Sequence, residues 1–256
     1  MGANAQTAVP VFTAGQVLTA QQQTEINTGI PVFATTVTRD AAFGGAGEKT
    51  LAEGQFAYIE ATNTTQYYDG AAWQSVGVTP ALTLVTATST ANTGGTVTTS
   101  GGRVTVAGSS SVSLNGVFTS TYHNYLILVD TLEAAAGPNN VSLRLRAAGS
   151  DTTSNTYYAG QIYGTYVGAT GGESNNGVAG FKIGAISTDK QQMAKIEVFS
   201  PQAATITTIH SLAVAYDAQS NYAGYQDGAT QYDGFTLFIS GSNFSGNITV
   251  YAYQKS

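Results

Sequence analysis

The chain has 256 residues, no cysteine, a formal net charge of -6 and a pI near 4.7, which excludes a disulfide framework, a thiolate metal site and the basic footprint of a nucleic-acid binder. Charged side chains make up 9% of the residues, against about 25% in an ordinary soluble domain. Thr, Ser, Asn, Gln, Gly and Tyr must therefore cover the surface, and such a covering suits packing against copies of itself or neighbours, because few charges must be desolvated.

The opening "MGANAQTAVP" has neither the charged n-region nor the apolar h-region of a secretory signal. The stretch "LTAQQQTEINTG" predicts a short helix, with Thr19 placed to cap its first turn and Gly29 to end its last. "IPVFATTVTRDAAF" is β-branched and expected to be extended, with Pro31 near its start. "GGAGEKT" looks like a phosphate-binding loop, but Glu48 stands where such a loop needs Gly before the Lys, and no βαβ pattern surrounds it; a solvent loop is expected. Three β-prone pieces then follow, "GQFAYIEA", "TTQYYDG" and "AAWQSVG", separated by "TN" and "DG" turn signals. They predict a small meander in which Tyr67, Tyr68 and Trp73 supply much of the apolar area.

Residues 78–108 are rich in Thr, Ser, Gly and Ala and carry one charge, Arg103. They are expected to be a connector, either a flexible linker or a thin stalk built from the alternating "LTLVTAT" and "TVTTSGGRVTV". From 109 to 256 the text is a succession of β-prone runs, among them "SVSLNGVF", "YHNYLILVDTL", "NVSLRLRAAG", "YAGQIYGTYV", "MAKIEVFS", "ATITTIHSLAVAY", "GFTLFIS" and "GNITVYAYQ". Turn residues separate them. The expected fold is all-β: an N-terminal β-meander region with a short helix (1–77), the connector, and a C-terminal antiparallel β-sandwich of jelly-roll type (109–256). In "NVSLRLRAAG" the alternation buries Val141, Leu143 and Leu145 and leaves Ser142, Arg144 and Arg146 on a wet face. The longest aliphatic run, "YLILV", is too short to span a bilayer, so no membrane insertion is expected.

Residues that could carry chemistry are sparse. His123 and His210 lack the H-x-H or H-E-x-x-H spacing that would bring a second metal ligand, so neither a metal nor another cofactor is expected. Asp227 and Asp233 could form the paired carboxylates of a glycosidase, but each precedes Gly, an ordinary turn position. The 15 tyrosines are more suggestive. "NTYYAGQIYGTY" and "NYAGYQDGATQY" read like loops, and Tyr157, Tyr158, Tyr222, Tyr225 and Tyr232 are candidates for contact with a glycan or a partner, since Tyr offers a flat apolar face with a hydroxyl at low entropic cost. Packing between sheets is the alternative.

Phe118, Tyr122, Asn124 and Tyr125, followed by Arg144, Arg146, Gly149, Tyr157 and Tyr158, form a pattern similar to the carboxy-terminal module of tailed-bacteriophage minor tail, tail-fibre and head-fibre proteins. The amino-terminal text likewise resembles the virion-anchoring start of such proteins. The resemblance implies a structural virion protein without catalytic residues: an attachment end docked through residues such as Tyr67, Tyr68 and Trp73, and a distal sandwich involved in host attachment. Its implied partners are further copies of itself as a homotrimer, other virion proteins and a host cell-surface glycan. A head-decoration role is the alternative within the particle, and a glycan-degrading depolymerase is the alternative of another class.

Overall fold

The computed structural model describes residues 9, 13–20, 22–23, 29–45, 48–77, 81–188, 191–214 and 217–254, and the chain divides into two units, Met1–Thr79 and Pro80–Ser256. In the first, most of the helix expected over 18–29 lies outside the described residues. Its cap is described: Gln22 N donates to Thr19 Oγ1 at 3.2 Å and Thr19 N donates to Gln22 Oε1 at 3.0 Å, a reciprocal pair that satisfies two orphan helix-terminal donors.

Strands β1 (Val32–Phe33), β2 (Phe56–Ile59), β3 (Thr64–Tyr68) and β4 (Trp73–Ser75) form one sheet in chain order. The last three are the expected meander, to which β1 adds in parallel. The segment expected to be extended departs from that expectation, because helix α1 (Thr36–Asp40) interrupts it. Thr38 N donates to Thr35 Oγ1 at 3.2 Å and Thr35 N to Thr38 Oγ1 at 3.0 Å, so local side-chain bonds outweigh the β preference of the threonines. The helix turns Arg39 inward, with its guanidinium 4.5 Å from the centre of the Trp73 ring. Phe33, Ala42, Ala57 and Ile59 make the small core, and Trp73 packs against it with Phe43 at 5.9 Å and Tyr68 at 5.7 Å. The Asp-Gly turn before Trp73 is fixed by Asp69 Oδ1, which accepts from Ala71 N at 2.9 Å and Ala72 N at 2.7 Å. These amide donors hold the Asp69 carboxyl below its ordinary range.

The second unit is a sandwich of two antiparallel sheets. The larger holds β5 (Leu82–Val85), β7 (Thr96–Ser100), β8 (Arg103–Ser109), β10 (Asn124–Ala134), β13 (Tyr157–Thr165), β14 (Thr170–Val178), β16 (Gln192–Phe199), β17 (Thr207–Val214), β18 (Ala218–Gln226) and β20 (Phe244–Tyr253). They run in the order β14-β13-β18-β17-β16-β10-β20-β8-β7, with β5 pairing β20 beyond the end of β8. The smaller sheet holds β6 (Ser89–Thr93), β9 (Ser111–Asn115), β11 (Asn139–Ala147), β12 (Ser150–Asp151), β15 (Phe181–Ile186) and β19 (Gly234–Ile239). Its order is β12-β11-β19-β9-β6, with β15 also pairing β11. Alternate residues of both sheets face one another, and Ile127, Val129, Ile196 and Ile248 from the larger meet Leu143, Leu145, Phe235 and Leu237 from the smaller. Full burial of each such side chain contributes about 1.5–3 kcal/mol. Buried hydrogen bonds also cross the core, from Leu145 N to the Tyr157 hydroxyl and from Ser211 Oγ to Ile183 O, both 2.8 Å.

Residues 78–108 do not form a separate connector. From 81 onward they belong to the sandwich, and β6 to β9 build a bent pair of strands in which β7–β8 lies in the larger sheet and β6–β9 in the smaller. The physical reason is the alternation in "RVTV", which drives Val104 and Val106 into the core to 1% and 2% exposure. The expected wet face of β11 also needs correction. Arg146 is 9% exposed, and it donates from Nε to Asn115 Oδ1 at 2.9 Å and from Nη1 to Ser113 Oγ at 3.0 Å and Thr236 Oγ1 at 2.9 Å. Asp151 and the Gly149 carbonyl complete its shell. Finally, most of the first Tyr-rich stretch that read as a loop is strand β13, and the second, up to Gln226, is strand β18, the two paired along their length. At Gly224 a Cβ would lie 1.9 Å from Tyr158 O, so this glycine marks a close approach of two strands and not a turn.

Candidate binding surface

Strand geometry decides what each candidate tyrosine can touch, because successive side chains point to opposite faces. Tyr157 and Tyr158 are neighbours, so only one can face outward. Tyr157 is fully buried; its hydroxyl accepts from Leu145 N and donates to Thr152 O at 3.3 Å, and burial pushes its pKa far above the ordinary value. Tyr222 and Tyr232 are 1% exposed, with the Tyr232 hydroxyl donating to Gln226 Oε1 at 2.6 Å. Burial raises the pKa of Tyr222 as well. These three candidates for glycan contact are thereby corrected to core residues. Tyr158 and Tyr225 remain, opposed in register and stacked with centroids 5.1 Å apart at 18° on the outer face of the larger sheet. Exposed Asn176 and Thr208 flank them on the adjoining strands.

Further along the same face lies a concavity of about 650 Å³. Ile162 of β13, Met193 of β16 and Leu212 and Val214 of β17 line it, at 74%, 49%, 43% and 45% exposure. Tyr163 also lines it, and its polar lining includes Thr170, Lys195, Gln219, Ser220 and Asn221. Beside it runs a string of polar groups. His210 Nε2 lies 3.0 Å from Asn221 Oδ1 and His210 Nδ1 lies 3.2 Å from Glu197 Oε2, while the Tyr253 hydroxyl donates to Glu197 Oε1 at 2.6 Å. Lys195 Nζ is 3.3 Å from Glu197 Oε1. The Tyr253 hydroxyl, followed by His210 and Lys195, holds the Glu197 carboxyl below its ordinary range, whereas burial and the carboxylate push Tyr253 up to about 12. This surface can bind: it offers aliphatic area, a flat aromatic pair and hydrogen-bonding groups on one rigid sheet.

The other candidates are not assembled into one place. Asp227 is exposed, while Asp233 accepts from Ala148 N at 3.0 Å and anchors the turn after β11. His123 is exposed just before β10. In the first unit Tyr68 and Trp73 pack together, whereas Tyr67 faces the other way beside Phe56, centroids 6.3 Å apart, and both of these rings are exposed. In the phosphate-loop look-alike, Glu48 accepts from Gly45 N at 2.8 Å and Lys49 Nζ donates to Gln55 Oε1 at 2.6 Å, so both charged side chains serve local contacts. Among the described residues no group of three or more His, Asp or Glu side chains is arranged to hold a metal ion.

Several residues of the phage-like pattern are architectural in this structure. The Tyr125 hydroxyl donates to Thr119 O at 2.8 Å and accepts from Thr119 N at 2.7 Å, and its ring packs on Phe118 at 4.8 Å. Arg144 donates to Ala179 O at 2.7 Å and covers the Phe238 ring. The concavity was missed by sequence reasoning, although one signal was present. In "IHSLAV" the apolar residues fall on both parities, with Leu212 and Val214 opposite to Ile209 and Ala213, as expected where both faces of a strand meet apolar matter.

No protein-family model and no curated protein matches the sequence. Among solved structures, the chain is similar to a human SPRY domain at 10% identity and a TM-score of 0.33, over 66% of this chain and 99% of that one. It is also similar to the Emp47p carbohydrate recognition domain at 10% identity and a TM-score of 0.28, over 69% and 99%. Likeness at this level carries no functional argument.

Proposed function

We propose that the chain is a structural virion protein of a tailed bacteriophage, a tail-fibre or minor tail appendage that takes part in host attachment as a homo-oligomer. The observation that carries this reading is the outer face of the larger sheet, where Tyr158 and Tyr225 and a row of exposed aliphatic side chains lie on a rigid scaffold with few charges. A face of this kind is built for contact. The similarity of the Phe118–Tyr158 pattern to phage appendage modules supports the assignment to a particle, and the stacked tyrosines suit a sugar ring laid on an aromatic surface. Several such faces on one particle raise avidity by roughly 10²–10⁴ over a single weak contact.

Labelled antibody against the chain tests the particle assignment: binding to the tails of intact virions is expected, and its absence from particles would overturn the reading. Tyr225→Ala tests the contact, with adsorption to host cells expected to fall by about tenfold, equivalent to roughly 1.4 kcal/mol. Unchanged adsorption removes the tyrosine pair from the mechanism.

A further inference from the structure

We infer that the concavity on the larger sheet seats the β13–β14 turn of a second copy of this chain. The lining speaks first. Ile162, Met193, Leu212 and Val214 are apolar and stand beside Tyr163, and a predominantly apolar floor of this kind fits an apolar protein side chain. The chain itself presents a matching group: Val167, at the tip of the β13–β14 turn, is 93% exposed. The turn is rigid, since Thr165 N donates to Ala169 O at 2.7 Å and Gly168 N donates to Thr165 O at 3.1 Å, so little ordering is lost when it docks.

Charge agrees with shape. Residues 165–169 carry no charge, but Tyr166 N donates to Asp217 O at 2.9 Å, which brings an exposed acidic residue beside the turn. The concavity has Lys195 at its edge, with 40% of the side chain exposed despite its contact with Glu197. The projection is thus apolar with an acidic flank, and the recess is apolar with the Lys195 ammonium, shared with Glu197, at its edge. Both sit at the same end of the sheet, because Gly164 lines the recess and leads directly into the β13–β14 turn. A surface holding a projection and its complement side by side is self-complementary, the requirement for association between identical copies.

The inference rests on the homo-oligomer in the proposed function, and the experiment separates the two. Light scattering on the size-fractionated full-length chain should give an oligomer at micromolar concentration. A mass of two copies corresponds to a two-fold pair and a mass of three to a closed ring; either can seat the turn in the recess, and the variants decide whether it does. Val167→Asp should raise the dissociation constant by at least about tenfold, and Leu212→Gln, on the opposite half of the contact, by a similar factor. Asp217→Asn should have a smaller effect and flatten the salt dependence. The circular dichroism spectrum of Val167→Asp should match the wild type, and its melting temperature should differ only by the concentration-dependent stabilisation that assembly supplies. A wild-type monomer at tens of micromolar, or an oligomer indifferent to both Val167→Asp and Leu212→Gln, overturns the contact. Such indifference leaves the virion reading standing, whereas failure of antibody to label particles removes that reading and leaves the contact intact.

Discussion

The two outer faces of the sandwich are finished differently. On the smaller sheet, Arg146 gathers Asn115, Ser113, Thr236, Asp151 and Gly149 into a bonded network, and Arg144 lies 4.0 Å over the Phe238 ring, so the chain completes that face with its own groups. On the larger sheet, Ile162, Met193, Leu212 and Val214 stand in solvent. A face satisfied from within contributes to stability, while a face left with apolar area exposed contributes to association. The difference teaches where to look for partners: the larger sheet.

The contrast can be broken most sharply at Arg146. Arg146→Met leaves Asp151 without its cation and Ser113 Oγ and Asn115 Oδ1 without the guanidinium donor in a largely buried setting, and should cost about 3 kcal/mol. For a unit of this size that is a fall of roughly 6–12 °C in melting temperature. A loss below about 1 kcal/mol would mean that the network decorates the face without holding it.

Alkali sharpens the contrast between core and surface tyrosines. Tyr157, Tyr222 and Tyr253 have pKa values raised in the folded chain, that of Tyr253 to about 12. Phenols protected in the native state but ionising near their ordinary value of 10.0 when unfolded make stability complete below that pH and lost progressively above it. Unfolding midpoints should therefore hold steady to about pH 10 and drop between about 10 and 12, with tyrosinate absorbance rising in step. Tyr253→Phe should shallow the slope.

The smallest effect is expected on the open face itself. Met193→Gln removes exposed apolar area and should change stability by no more than about 0.5 kcal/mol. A larger loss would show that this side chain supports the fold, contrary to the comparison.

Much of this architecture is legible in the residues, and the reasons for the rest are physical. Strands such as β11, β16 and β20 announce themselves by alternation, because most of one parity in each is apolar, and β10 by its aliphatic run, although a bulge after Val129 shifts its parity. Strand β18 does not, because Gly224 is required by the approach of Tyr158 O and its inward residues include polar Ser220 and Gln226, so a central strand reads as a loop. The Thr-rich strands β6 to β8 read as a connector because Val97, Val104 and Val106 are diluted by threonine, although their spacing places them on one face. The division of Tyr157 from Tyr158 follows from the two-residue period alone. That Tyr222 points inward required β18 to be recognised as a strand. The recess could not be read directly, since it is assembled from β13, β16, β17 and β18 through pairings that skip along the chain.

Strand β5 pairs with the last stretch of β20, Leu82 opposite Tyr253, and Gln254 N donates to Ala81 O at 3.0 Å. The sandwich is therefore entered and left at one spot on its rim. A module whose ends meet in this way can hang from a single suspension point, be spliced into a surface loop of a carrier, or be circularly permuted by joining those ends, with no strand having to be rethreaded.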